Sequence, residues 1–129
     1  MSAQGPYAIA IKACRWVARN PEGWRNLLSL CESFHRVRPA ERLRRGDLYN
    51  YAQQMGMSVT LCNEFRFDNN MWSALSRYAI MCSPHLSEVI HPRSSELDQI
   101  DMRAVWAVSV GEPSCFQISD WREAEVVLP

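Results

Sequence analysis

The sequence lacks the long apolar segment that a membrane protein needs. Its apolar runs are only a few residues long, whereas a helix that spans a bilayer needs roughly 20. The apolar stretch from Ala8 to Ile11 is followed by Lys12, Arg15 and Arg19 instead of being preceded by positive charge, which is the reverse of a signal peptide. We therefore expect a cytoplasmic protein that makes no contact with membranes.

The chain also lacks the spacings that typify metal sites. The cysteines form no Cys-x-x-Cys pair, and the histidines form no His-Glu-x-x-His motif. His85 and His91 lie six residues apart with Cys82 nearby, but Pro84 and Pro92 interrupt this stretch and no second ligand pair accompanies it. The sequence therefore predicts no metal site. We expect its free cysteines to be buried as small hydrophobic side chains; they are Cys14, Cys31, Cys62, Cys82 and Cys115.

Catalytic and phosphate-binding fingerprints are likewise missing. The sequence contains no Gly-x-Ser-x-Gly elbow, no Gly-x-Gly-x-x-Gly turn and no Walker loop. A pair of catalytic carboxylates needs no fixed spacing, and Asp98 and Asp101 would be adjacent on a helix. Acidic residues that precede a helix more often complement its dipole. We therefore predict a non-enzymatic protein without a cofactor, and keep an enzyme as the less favoured alternative.

Hydrophobic periodicity predicts a mainly helical protein. The 129 residues contain 47% hydrophobic side chains, enough for one globular domain over residues 1–129. Apolar residues recur at helical spacing in five segments and alternate with polar residues from Met57 to Leu61, which predicts a short strand. The predicted helices cover residues 7–19, 21–37, 48–55, 69–82 and 102–110, with a short one from 120 to 127 and an extended piece at 116–118.

Residues 85–100 allow two interpretations, a hairpin with a proline-bearing turn or a helical turn followed by a loop. The hairpin would be the wing of a winged helix-turn-helix. We therefore predict a compact single domain of five or six helices with a small β element, which could be a winged-helix variant.

Five caps are predicted at the ends of these helices. Asn20 is expected to cap the second helix ahead of Pro21, and Asp47 the third. Gly56 suits the left-handed position that closes the third helix. Asp68 or Asn69 suits the start of helix 69–82, and Asp101 suits the start of the last long helix.

The charge is unevenly distributed although the net charge is zero. Residues 1–45 carry a net charge of +6 and residues 85–129 a net charge of −5. Five arginines fall between positions 36 and 45, and arginine clusters neutralise nucleic-acid phosphates. We predict nucleic-acid contacts from Arg42, Arg44 and Arg45.

The polar face of helix 69–82 is the second predicted contact with nucleic acid. Asparagine and arginine are side chains that read base edges, and this face carries Asn69, Asn70, Ser73 and Arg77. Arg93 would extend the interface from the tip of the wing. The sequence thus predicts a small regulatory protein that binds nucleic acid.

A second hypothesis assigns the protein to a different class. Trp16 lies off the apolar stripe of its helix and is bordered by Arg15 and Arg19. Tryptophan and arginine dominate the anchors of protein interfaces. The chain could therefore be an inhibitor, of the kind that mobile elements encode, that docks on a larger protein or nucleoprotein assembly.

Overall fold

The computed structural model describes residues 5–110, and in this part of the chain the protein is mainly helical. The six α-helices are α1 (Pro6–Arg19), α2 (Pro21–Val37), α3 (Leu48–Gln54), α4 (Val59–Glu64), α5 (Asn69–Cys82) and α6 (Met102–Ser109). Short 3-10 helices occupy Arg45–Asp47, Pro84–Glu88 and Glu96–Gln99. The expectation of a mainly helical protein with five or six helices is confirmed. No helix among these residues combines the length and apolar character that a membrane span requires.

The described helices share one hydrophobic core. Helix α1 packs against α5 and α6, and its buried side chains follow the predicted helical spacing. At the centre of the core, the Trp106 ring lies 5.8 Å from that of Trp24 and 4.9 Å from that of Tyr78, measured between centroids. Rings at these distances in tilted arrangements gain energy beyond the burial of their area. This core fixes the position of α5.

The strand predicted from Met57 to Leu61 is wrong, because this segment begins helix α4. The hydroxyl of Ser58 accepts a hydrogen bond from the backbone N–H of Leu61 at 3.2 Å and so caps the helix. A strand needs a neighbour to satisfy its backbone groups, whereas a helix satisfies them internally. Phe65 and Phe67, which follow the helix, are both buried.

Residues 85–100 follow the second of their two interpretations, a helical turn and then a loop. A 3-10 helix ends at Glu88, residues 90–95 form a loop, and a second 3-10 helix follows. No strand occurs between residues 5 and 110, so the small β element and the winged-helix variant are not confirmed. The extended piece predicted at 116–118 and the helix at 120–127 lie outside the described residues.

Two predicted helix caps differ in the structure. The side-chain amide of Asn20 donates to the carbonyl of Trp16 at 2.9 Å, so it closes α1 instead of opening α2. Asp47 has helical backbone angles (φ −89°, ψ −15°) rather than the extended backbone of a capping residue, and its carboxylate accepts from the N–H of Arg44. Asp68 and Asp101 cap α5 and α6 as predicted.

Substitution of Gly56 tests how the C-terminal end of α3 is formed. The φ of Gly56 is +82°, in the left-handed region, where residues with a side chain are strained. A Cβ added at this position would meet no atom within 4 Å, so a substitution would cause no steric clash. We expect Gly56→Ala to lower the free energy of unfolding by about 1–2 kcal/mol through backbone strain alone. Gly46→Ala is the matched control, since its Cβ also has open space and its φ is not positive. Urea denaturation compares the two, and equal stability of both variants would contradict this account of the α3 end.

Candidate functional site

Three segments that are distant in sequence enclose a cleft, which we call the arginine cleft. Its walls are residues 42–46, the first two turns of α5 (residues 69–76) and the loop 90–95. The cavity has a volume of about 570 Å³, within the range of small-molecule sites in proteins, about 300–1,000 Å³. Seven of the eight residues predicted to contact nucleic acid line this cleft, namely Arg42, Arg44, Arg45, Asn69, Asn70, Ser73 and Arg93.

Arginine side chains join the walls of the cleft to one another. The guanidinium of Arg42 donates to the carbonyl of His91 at 2.8 Å, next to a backbone bond from Leu43 N–H to the carbonyl of Val89. Arg45 donates to the carbonyl of Phe67 at 3.1 Å, just ahead of α5. Carbonyl oxygens satisfy part of the guanidinium without cancelling its charge. The two side chains are thus held in place while they stay cationic.

Among residues 5–110, the cleft carries an uncompensated positive charge. The part of its lining that these residues form includes four arginines and no Asp or Glu. Within residues 5–110, no carboxylate forms an ion pair with any of the four. The side chains of Arg44 and Arg93 are exposed and have no hydrogen-bond partner among these residues. A concave wall of unpaired cations focuses a positive potential, so the arrangement attracts anions.

Arg77, the eighth predicted residue, does not line the cleft and instead supports its wall. Its guanidinium forms an ion pair with Asp98 at 3.0 Å and donates to the carbonyls of Arg93 and Ser73 and to the Ser73 hydroxyl. The side chain is only 11% exposed. These bonds use most of its donors and fasten the loop 90–95 to α5.

Trp72 is not among the side chains that the sequence predicts for the site. The side chain is only partly buried and lies in the cleft wall. It is three residues after Asn69 and four before Ser76, and residues at these spacings share one face of a helix. That spacing could have identified an aromatic ring within the polar face of α5.

The predicted protein-docking residues lie on α1, outside the residues that line the cleft. Arg15 and Arg19 are exposed. Trp16 is partly buried, and its ring meets that of Phe67 edge-on at 5.2 Å between centroids. A Cβ on Gly23 would lie 3.4 Å from the same indole, so the ring also packs against α2. Trp16 therefore belongs to the packing of the protein, with part of its surface exposed.

Two histidines form reciprocal pairs with glutamates across α2 and the 3-10 helix Pro84–Glu88. His35 lies 2.7 Å from Glu88, and His85 lies 2.6 Å from Glu32. The two imidazoles meet edge-on, with 4.9 Å between their centroids. No group of three or more metal-binding side chains occurs in residues 5–110. These pairs hold the start of the 84–95 segment against α2.

The described cysteines behave as the sequence predicts. Cys14, Cys31, Cys62 and Cys82 are all buried. Burial raises the pKa of Cys14 to about 11 and also raises the pKa of Cys31. A thiol whose pKa is raised stays protonated at neutral pH, and the thiolate is the form that attacks or binds metal. These two cysteines therefore serve the core.

Comparisons with protein-family models, with curated proteins and with solved structures gave no match to this chain. A function is therefore inferred from the charges and contacts of the residues themselves.

The ion pair behind the cleft predicts a pH dependence of stability. Hydrogen bonding to Arg77 lowers the pKa of Asp98 below its ordinary value. A lowered carboxyl pKa stabilises the fold above the unfolded-state value of about 3.9, and this stabilisation is lost as the pH falls through the lowered value. We expect Asp98→Asn to be less stable than the parent at pH 6 and the difference to shrink towards pH 2. Urea denaturation at several pH values measures it, and a difference that does not vary with pH would count against the ion pair.

Proposed function

We propose that the protein is a small, non-enzymatic cytoplasmic regulator that binds nucleic acid in the arginine cleft. The observation that carries the proposal is the meeting of four guanidinium groups, from residues 42–45 and from Arg93, in a cleft to whose lining the described residues contribute no carboxylate. Guanidinium groups match the geometry of phosphate oxygens and can bind them through two parallel hydrogen bonds. A chain of phosphates is the polyanion that such a site suits.

The neutral side chains of the cleft support the same ligand. Asn69 and Asn70 are exposed on the first turn of α5 and have no side-chain hydrogen-bond partner among the described residues. Asparagine amides present both a donor and an acceptor, which is the pattern that reads the edge of adenine. Phosphate contacts and base contacts are therefore both available in one cleft.

The acidic residues near the cleft lie outside its lining. Phosphates are repelled by free carboxylates, and the carboxylate of Asp98 is neutralised by its ion pair with Arg77. Glu88 lies 2.7 Å from His35, and neither Glu88 nor Asp98 lines the cleft. Glu96 is exposed but also lies outside the lining. A net charge of zero over the whole chain thus coexists with a locally cationic cleft.

Neutralising Arg44 and Arg93, the two cleft arginines whose side chains have no hydrogen-bond partner among the described residues, tests the proposal. We expect Arg44→Gln/Arg93→Gln to weaken binding to mixed-sequence oligonucleotides and to reduce the salt dependence of binding. The slope of log K against log salt should fall by about 1.4 for a single strand, because each lost phosphate contact removes about 0.7. Fluorescence anisotropy over a salt series gives both values.

The matched control is Arg25→Gln/Arg36→Gln. Both side chains are exposed on α2 and lie outside the cleft lining, so the same loss of charge should leave the slope nearly unchanged. Equal effects of the two double variants would show that bulk charge and not the cleft binds the ligand. Absence of binding to duplex and single strands at low salt would contradict the proposal outright.

Docking on a larger protein assembly is the second candidate function. It is favoured by Arg15 and Arg19, which are exposed on α1 and have no ion-pair partner among the described residues. Charge reversal of these two residues is a sharper test than Trp16→Ala, because the indole also contributes to packing. We expect Arg15→Glu/Arg19→Glu to reduce a protein complex recovered by pull-down by about tenfold or more without changing thermal stability. An undiminished complex would exclude this face as the anchor.

A further inference from the structure

We propose that the arginine cleft accepts an unpaired nucleotide of a single strand, with the base stacked on Trp72. This inference depends on the proposed nucleic-acid binding and names the form of ligand that the cleft takes. In this proposal, the arginines of residues 42–45 and Arg93 bind the phosphate backbone of the strand. The Trp72 ring stacks on the face of the base, and the side-chain amides of Asn69 and Asn70 bind its edge.

The shape of the cleft argues against a duplex bound in the usual way. An α-helix with its side chains is about 10–12 Å wide, which already fills a major groove about 12 Å wide. The polar face of α5 is not a free ridge, since the loop 90–95 and residues 42–46 border the same cavity. Arg77 fastens that loop to α5. The face therefore cannot enter a groove without its neighbours, whereas a single strand can enter the cleft.

The aromatic ring gives the cleft a contact that a site for bare phosphate would not need. Trp72 is partly buried and lines the cavity among polar and cationic side chains. Proteins that bind single strands combine a cationic groove with aromatic rings on which bases stack. A volume of about 570 Å³ is in the range of pockets that hold small ligands, which gives room for a nucleotide unit.

Base stacking is measured with three probes that share one sequence. These are a 12-nucleotide single strand, the same strand with several central abasic sites, and the blunt duplex, each prepared as DNA and as RNA. The abasic strand keeps every phosphate and loses only base faces and edges. We expect the full-length protein to bind the intact strand about 5- to 100-fold more tightly than the abasic strand, the range that stacking supplies. The duplex should bind more weakly than the intact strand.

Substitution of Trp72 then assigns the stacking to this ring. Trp72→Leu should bind the intact and abasic strands nearly equally, while Trp72→Phe should retain most of the preference. Trp72 also packs against the core, so thermal unfolding accompanies each variant. If the leucine variant does not fold, the abasic comparison on the unaltered protein and the phenylalanine variant decide the question.

Competition with a free nucleoside monophosphate separates a strand site from a nucleotide pocket, and complete displacement at an equal concentration of nucleotide would overturn the strand assignment.

The outcomes separate this inference from the proposed function. Salt-dependent binding with no preference for the intact strand over the abasic strand or the duplex would overturn stacking and leave nucleic-acid binding in place. A preference that Trp72→Leu retains would overturn the role of Trp72. Failure of every probe to bind at low salt would overturn both proposals.

Discussion

Hydrogen bonds from arginine side chains to backbone carbonyls hold the candidate site together. Arg42 reaches the carbonyl of His91, Arg45 that of Phe67 and Arg77 that of Arg93. Each bond joins a different pair of segments, and together they connect residues 42–46, the start of α5 and the loop 90–95. A charged donor makes a stronger hydrogen bond than a neutral one. The loop has no regular secondary structure of its own, so these bonds and the capped 3-10 helix after it define its position.

The arginines divide into two groups according to whether a carboxylate meets them. The charge of Arg77 is neutralised by Asp98 and its side chain is nearly buried, so this residue stabilises the structure. Arg44 and Arg93 lie in the cleft with no described carboxylate partner. Holding like charges in one cavity is unfavourable until an anion enters. An anionic ligand would relieve that repulsion, which links the stability of the cleft to its occupancy. What sets the arginines of the cleft apart from the exposed arginines of α1 and α2 is that they line one cavity.

The sequence predicted the long helices from their local periodicity and failed at one short segment, at two helix caps and where distant residues decide. Helix α5 has the predicted bounds, because its apolar spacing and the cap at Asp68 are both local. The strand predicted from Met57 to Leu61 is wrong, because the prediction followed the alternation of apolar residues and overlooked Ser58, which caps helix α4. The ion pair between Arg77 and Asp98 joins residues that are 21 positions apart, and no pattern in the sequence predicts it. Residue chemistry alone predicted that residues 42–45 and α5 bind the same ligand. The cleft that they line is formed by the tertiary fold and could not be predicted from the sequence.

Photo-cross-linking followed by mass spectrometry of the cross-linked peptides tests the central claim most directly. A single strand that carries a photoreactive base at each position in turn would be bound to the full-length protein at low salt and irradiated. The account predicts cross-links confined to residues 42–46, 69–76 and 90–95, the three walls of the arginine cleft. Cross-links concentrated on α1, around Arg15 and Arg19, with none in the cleft would contradict it.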